Sequence, residues 1–212
     1  MISVAAKSLS SAQLYRLLAG LVVPRPIAFI STLSTTGVRN LAPFSFFTVL
    51  NAAPPILGVS IDRRYGTEPK DTLVNIEATG EFVINIVSEG LAEAMNLASL
   101  DWRPQVDEFV EAGLDARADN LFVQSPRVAA SPGQFECRLV RSISFGSYTL
   151  VAGEVVAFHY AERLFDDKLR IDYDELRAVG RLTGSMYCRT HDRFSIERTA
   201  DSPDKKLGDN TC

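Results

Sequence analysis

Histidine and cysteine are scarce in this chain, and each shortage excludes something. Two histidines, His159 and His191, are too few and too far apart for a zinc site. His159 follows a β-rich run and reads as a strand-end residue, and His191, in the polar CRTHDRF segment, reads as solvated. The three cysteines, Cys137, Cys188 and Cys212, form no Cys-x-x-Cys pair. Their odd number speaks against a disulfide framework, and a cytoplasmic setting is expected. Asn, Asp, Glu or Arg interrupts every apolar run before it reaches bilayer-spanning length. The opening MISVAAKSLSSAQ lacks the charged-then-apolar order of a signal peptide. A net charge of −4, with the 22 basic residues scattered, gives no reason to expect a nucleic-acid or membrane partner. No Gly-x-Gly-x-x-Gly follows a strand, and there is neither a Walker-type loop nor a Gly-x-Ser-x-Gly elbow. An enzyme with these gaps leaves its chemistry to a bound cofactor.

What is present suits one sizeable core: 212 residues, 46% hydrophobic. Residues 1–195 read as a single domain and 196–212 as a polar C-terminal tail. Strands dominate. Ile27–Leu33 is β-rich, Thr35-Thr36-Gly37 supplies a turn, and Pro54-Pro55 must precede the strand Ile56–Ile61 because proline cannot donate a ladder hydrogen bond. Asp71–Ala78 reads as a helix with Asp71 as N-cap and Gly80 past its end. Phe82–Val87 is a buried strand. Ser88 is placed to cap a helix carrying Leu91, Ala94, Met95 and Ala98 at i, i+3, i+4, i+7. Trp102–Gly113 reads as a loop with another helical turn, Phe135–Ile143 alternates, and Tyr148–Tyr160 is β-rich with a break at Gly153. No strand–helix–strand rhythm is sustained, so a mainly β, antiparallel barrel is expected over a doubly wound sheet.

Three segments have the makings of a ligand site. Ser31-Thr32 ends a strand, where hydroxyls also commonly satisfy a turn. Asn40–Thr48 mixes Leu41, Ala42, Pro43, Phe44 and Phe46 with Asn40, Ser45 and Thr48. That mixture suits the faces and edges of a flat aromatic ligand, and equally a loop over the core or a dimer seam. Lys70-Asp71-Thr72 opens a helix, where free N–H groups, the helix dipole and an ammonium converge on a phosphate; a plain helix start has the same look.

The run PRPIAFIST, NLAPFSFFT and PPIL, then KDTLVNI, GEFVINIV, LAEAMNLAS, ECRLV, GEVVAFH and GRLTGSMY, resembles the flavin reductase-like, FMN-binding split-barrel family over roughly residues 20–195. The resemblance implies a six-stranded antiparallel Greek-key split barrel with a few short flanking helices, homodimeric, binding FMN at the subunit seam. It implies that Ser31, Thr32 and Asn40 to Ser45 line the ring and ribityl chain, with Phe46 and Thr48 continuing the wall. Lys70, Asp71 and Thr72 would hold the phosphate, Arg25 being a weaker candidate, and Arg181 and Tyr187 would approach the ring, Tyr187 as cover or gate. No metal is implied. Two departures stand out: Val74 where the family often has Arg, and Thr183 where a second Gly is common. The activity implied is an NAD(P)H:flavin oxidoreductase, NADH or NADPH being the donor and a partner monooxygenase a possible acceptor of the product. An FMN-containing electron carrier or sensor, and a flavin-dependent oxygenase, are the alternatives.

Overall fold

The computed structural model describes residues 1–64 and 67–196, so nearly all of the expected tail, with Cys212, lies outside the described residues. In chain order the elements are α1 (Ser11–Leu21), β1 (Ala28–Leu33), β2 (Arg39–Phe44), β3 (Phe47–Asn51), β4 (Ile56–Arg64), β5 (Glu68–Pro69), α2 (Asp71–Thr79), β6 (Glu81–Ile86) and α3 (Ala92–Ala98). Then come α4 (Glu108–Glu111), β7 (Ala116–Arg117), β8 (Arg127–Val128), β9 (Gly133–Phe145), β10 (Tyr148–Tyr160), α5 (Tyr173–Leu176), β11 (Val179–Arg181) and β12 (Tyr187–Arg189).

The fold is mainly β with flanking helices, as expected. Among the described residues the main sheet has eight strands, in the order β2-β1-β6-β9-β10-β4-β3 with β5 beside β4, and every ladder is antiparallel. This corrects the six strands expected. The ribbon 39–51 is split at Ser45-Phe46 into β2 and β3, and the two-residue β5 is the other addition. β2 and β3 stand at opposite ends of the strand order yet are joined by only two residues. So short a link holds their ends within about 11 Å. The sheet therefore curls until its edges meet at Ser45-Phe46, where the Ser60 N–H donates to the Phe46 carbonyl at 2.8 Å. No ladder joins β2 to β3, and the curl stays open.

β1 is buried on both faces, which explains why its apolar residues Ala28, Phe29 and Ile30 follow one another without alternation. Ala28 and Ile30 face one core with Val59, Ile61, Phe82, Ile84 and Leu73 of α2. Phe29 faces the other, with Leu41, Leu91, Met95, Phe109 and Val128. β10 is not broken at Gly153: it runs through a bulge there, and the ring of Phe82 fills the space a Cβ would need.

Two helix starts differ from expectation. Lys70, not Asp71, is the N-cap of α2, without a side-chain cap, and the Asp71 carboxylate instead accepts from Arg64 at 2.7 Å. Ser88 makes no cap either, leading a short 3-10 turn before α3 begins at Ala92. α1 is new. Ser10 and Gln13 form a reciprocal capping box, an S-x-x-Q signature present in the sequence. Of its residues Ala19 alone is buried, while Leu17, Leu18 and Leu21 are exposed. None of the described helices is long and apolar enough to cross a membrane.

Candidate functional site

The β2–β3 bend is the floor of a cleft of about 240 Å³. Pro43, Phe44, Ser45 and Phe46 come from the bend, and Ser60 and Asp62 from the adjoining face of β4. Met95, Asn96 and Ser99 form the wall at α3, Tyr15 and Tyr148 the opposite wall, and Arg181 and Tyr187 the rim. The Phe46 ring stacks on Tyr148, centroids 5.6 Å apart and planes at 20°, and Tyr15 leans on it at 6.4 Å. Burial, with Asp62 and Tyr15 nearby, pushes the Tyr148 hydroxyl pKa above its ordinary value. At the rim the Arg181 guanidinium lies 4.4 Å over the Tyr187 ring.

Past Phe44, Lys70 and Ser99 the cleft runs on into a narrow recess of about 50 Å³ reaching Asn40, Arg64, Thr72 and Glu108. The recess meets the start of α2. Among the described residues no acceptor reaches the N–H groups of Asp71 and Thr72, and the buried Nε of Arg64 has no partner. Lys70 Nζ is held 3.4 Å from Asp62. This end of the groove therefore offers unused donors and two cations to an anion.

The structure divides the residues expected to form a site. Pro43, Phe44, Ser45, Phe46, Lys70, Arg181 and Tyr187 line the cleft, and Asn40, Ala42, Asp71 and Thr72 line the recess. Five lie elsewhere. Ser31 and Thr32 are fully buried: Ser31 donates to the Pro126 carbonyl and accepts from Asn85, while Thr32 donates to Asn40 and accepts from Asn75. Leu41 is in the core and Thr48 is exposed on β3. Arg25 is 5% exposed, with its guanidinium donating to the carbonyls of Ala19, Val22 and Leu182 and to the Ser45 hydroxyl. It braces the cleft from behind.

Ser60, Asp62, Tyr148 and Glu108 had not been singled out. A signal for the first two existed: Leu57, Val59 and Ile61 alternate into the core, which turns Gly58, Ser60 and Asp62 to the other face. Glu108 is 5% exposed, and burial, with Asp71 nearby, pushes its pKa from 4.5 up to about 7. The folded state thus holds this proton more tightly than the unfolded chain. On its account stability is highest below pH 4.5 and declines as pH rises through about 7. Urea unfolding across that window should show the decline, and Glu108→Gln should flatten it.

The family model for the flavin reductase-like domain matches residues 20–194. The chain belongs to this family. Membership places it among flavin-dependent oxidoreductases. It is 33% identical to nitrilotriacetate monooxygenase component B from Bacillus cereus, with a TM-score of 0.88 over 92% of this chain and 98% of the other. It is 35% identical to the 2-nitrobenzoate 2-nitroreductase NbaA of Pseudomonas fluorescens, with a TM-score of 0.86 over 96% and 100%. An uncharacterised protein of Aquifex aeolicus is 39% identical over 83% of this chain and 89% of its own.

Proposed function

We propose that the protein is an NAD(P)H-dependent flavin reductase that binds FMN along the cleft, ring toward Ser45, Phe46 and Tyr187 and phosphate toward the start of α2. The observation that carries this reading is the uncapped α2 terminus, with Lys70 and the orphaned Arg64 Nε, opening into an aromatic-walled groove. Arg64 would restore the cation that Val74 removes. The chemistry supplied by bound FMN is hydride acceptance from NADH or NADPH and onward delivery of two electrons.

The chain's own part is to bind and orient. Lys70, Arg64 and the free N–H groups of Asp71 and Thr72 fix the phosphate end. Pro43 and Phe44 give apolar contact, and Ser45 offers hydrogen bonds to a ring edge. Tyr187, held under Arg181, bounds the outer side where a nicotinamide would stack. Correct orientation of two rings contributes several kcal/mol, and the hydride step asks for no acid or base. A second copy would cover the exposed Leu17, Leu18 and Leu21 of α1 with Val49 and Leu50 of β3, sedimenting as a homodimer.

Lys70→Ala should weaken FMN binding by about 10–100-fold and leave riboflavin binding within about twofold, read by fluorescence titration. Equal losses for both ligands would remove Lys70 from the phosphate end. Steady-state oxidation of NADH and NADPH, with and without added FMN or FAD, tests the activity. No rate above the enzyme-free control in any combination would end the reductase reading.

The resemblance to the monooxygenase component favours delivery of reduced flavin to a partner oxygenase. The resemblance to the nitroreductase favours a second reading, reduction of a small organic substrate in the same cleft. Product formation from a nitroaromatic without any partner protein separates the two.

A further inference from the structure

Behind the recess lies a chain of hydrogen bonds that the reading above does not use. Glu108 Oε1 accepts from Asn40 Nδ2 at 2.9 Å, and Oε2 accepts from the Leu41 N–H at 3.1 Å. Asn40 Oδ1 in turn accepts from the Thr72 hydroxyl at 2.7 Å and from Thr32 at 3.2 Å. All four side chains in this chain are buried. With Glu108 ionised, it can only accept, so Asn40 must turn its amide nitrogen toward Glu108 and its oxygen toward Thr72. The Thr72 proton is then spent on Asn40 and is not offered to the recess.

We propose that Glu108 is a proton-linked positioning residue for the phosphate end of the cleft: gaining a proton, it reverses the Asn40 amide and frees the Thr72 hydroxyl to donate to a bound phosphate. The proton comes from solvent. Protonated Glu108 donates O–H to Asn40 Oδ1. The reversed amide presents Nδ2 to the Thr72 and Thr32 oxygens, each of which has lone pairs to accept it, and the buried Thr32 proton gives up its 3.2 Å bond to Asn40 as the cost of the reversal. The two ends of an amide differ little in size, so the reversal moves no backbone.

Charge drives the change in the same direction. A dianionic phosphate placed in a recess that Glu108 itself lines raises the cost of the carboxylate. The other groups facing that carboxylate are nearly balanced. Asp71 is paired with Arg64, Asp107 with Arg39 and Lys70 with Asp62, while Asp101 lines the outer part of the recess. Burial, aided by Asp71 and opposed by the hydrogen bonds from Leu41 and Asn40, already brings the Glu108 pKa up to about 7. Binding of a phosphate ligand thus takes up a proton.

The inference rests on the FMN reading, and one experiment separates their failures. Calorimetric titration of the protein with FMN and with riboflavin, in buffers of different ionisation enthalpy, counts protons at pH 7–8.5, where the ligand phosphate has already lost its second proton. FMN should carry with it a net proton uptake that rises from about half a proton at most near pH 7 toward one near pH 8.5, and its affinity should fall by up to about tenfold per pH unit above neutrality. Riboflavin should show neither. Glu108→Gln, whose amide imitates the protonated acid, should bind FMN without the pH slope. Glu108→Ala, which cannot orient Asn40 either way, should bind FMN more weakly than Glu108→Gln at every pH. FMN binding with no proton uptake, or a slope that survives in Glu108→Gln, overturns this inference and leaves the FMN reading standing. Riboflavin binding as tightly as FMN, or neither ligand binding, overturns both.

Discussion

Arg25→Ala should lower the stability of the protein by about 3–5 kcal/mol, read as a fall in the urea midpoint at unchanged slope. The guanidinium closes four contacts, to the carbonyls of Ala19, Val22 and Leu182 and to the Ser45 hydroxyl, from a position 5% exposed. Its backbone also pairs with Arg181, at 3.0 Å and 2.8 Å. One residue thus ties the end of α1, the β2–β3 bend and the rim of the cleft together. Truncation strands acceptors in all three places, buried at Ala19 and part-buried at Ser45 and Leu182. Flavin binding should weaken for FMN and riboflavin alike, because what is lost is the shape of the cleft. This is the opposite of the pattern expected for Lys70→Ala. A loss below about 1 kcal/mol would mean that water replaces the guanidinium at no cost. A selective loss of FMN would restore Arg25 as a phosphate ligand.

Glu136→Ala should be nearly as damaging, at about 3–5 kcal/mol. Glu136 is fully buried in β9, yet it remains a carboxylate because it is surrounded by donors. The N–H of Leu121 donates to it at 2.7 Å, those of Phe122 and Val123 at 2.6 Å and 3.1 Å, and His159 Nε2 lies 2.6 Å away. Burial by itself would raise its pKa; the N–H groups of Leu121 and Phe122 and the His159 ring outweigh burial and hold it below 4.5. The sign follows. The stabilisation is fully present above pH 4.5 and is lost as pH falls through the lower folded value, so the wild type should show an acid-unfolding limb that Glu136→Ala lacks. Glu136→Gln should fall between the two, since its amide nitrogen faces N–H groups where an acceptor is needed. An alanine variant with an unchanged acid limb would remove Glu136 as the anchor of the 121–123 loop.

His159 shows how far a sequence reading reaches. Its place at the end of β10 was legible from the β-rich run before it. Its partner was not, since Glu136 lies 23 residues away on the neighbouring strand. β9 and β10 slip register at Val155/Ala157, and no pattern in the sequence places that slip. Ser31 and Thr32 fail for a related reason. A strand with one wet face announces its buried side by alternation, but β1 is covered by two cores and hides which hydroxyls meet a ligand and which meet Asn75 and Asn85. On β4, where alternation survives, the cleft-facing Ser60 and Asp62 were readable.

The sequence by itself determined the antiparallel β character, the α2 helix with Gly80 at its end, and the family. These rest on local periodicity, turn chemistry and the spacing of short motifs, which need no knowledge of distant neighbours. The tertiary structure alone decided that 39–51 is two strands meeting across the opening of a curled sheet, that Arg25 braces the cleft and does not line it, and that Glu108 stands behind Asn40. Each of these depends on burial and on partners brought together from remote parts of the chain. A charged side chain reads the same in a sequence whether water or four protein oxygens surround it.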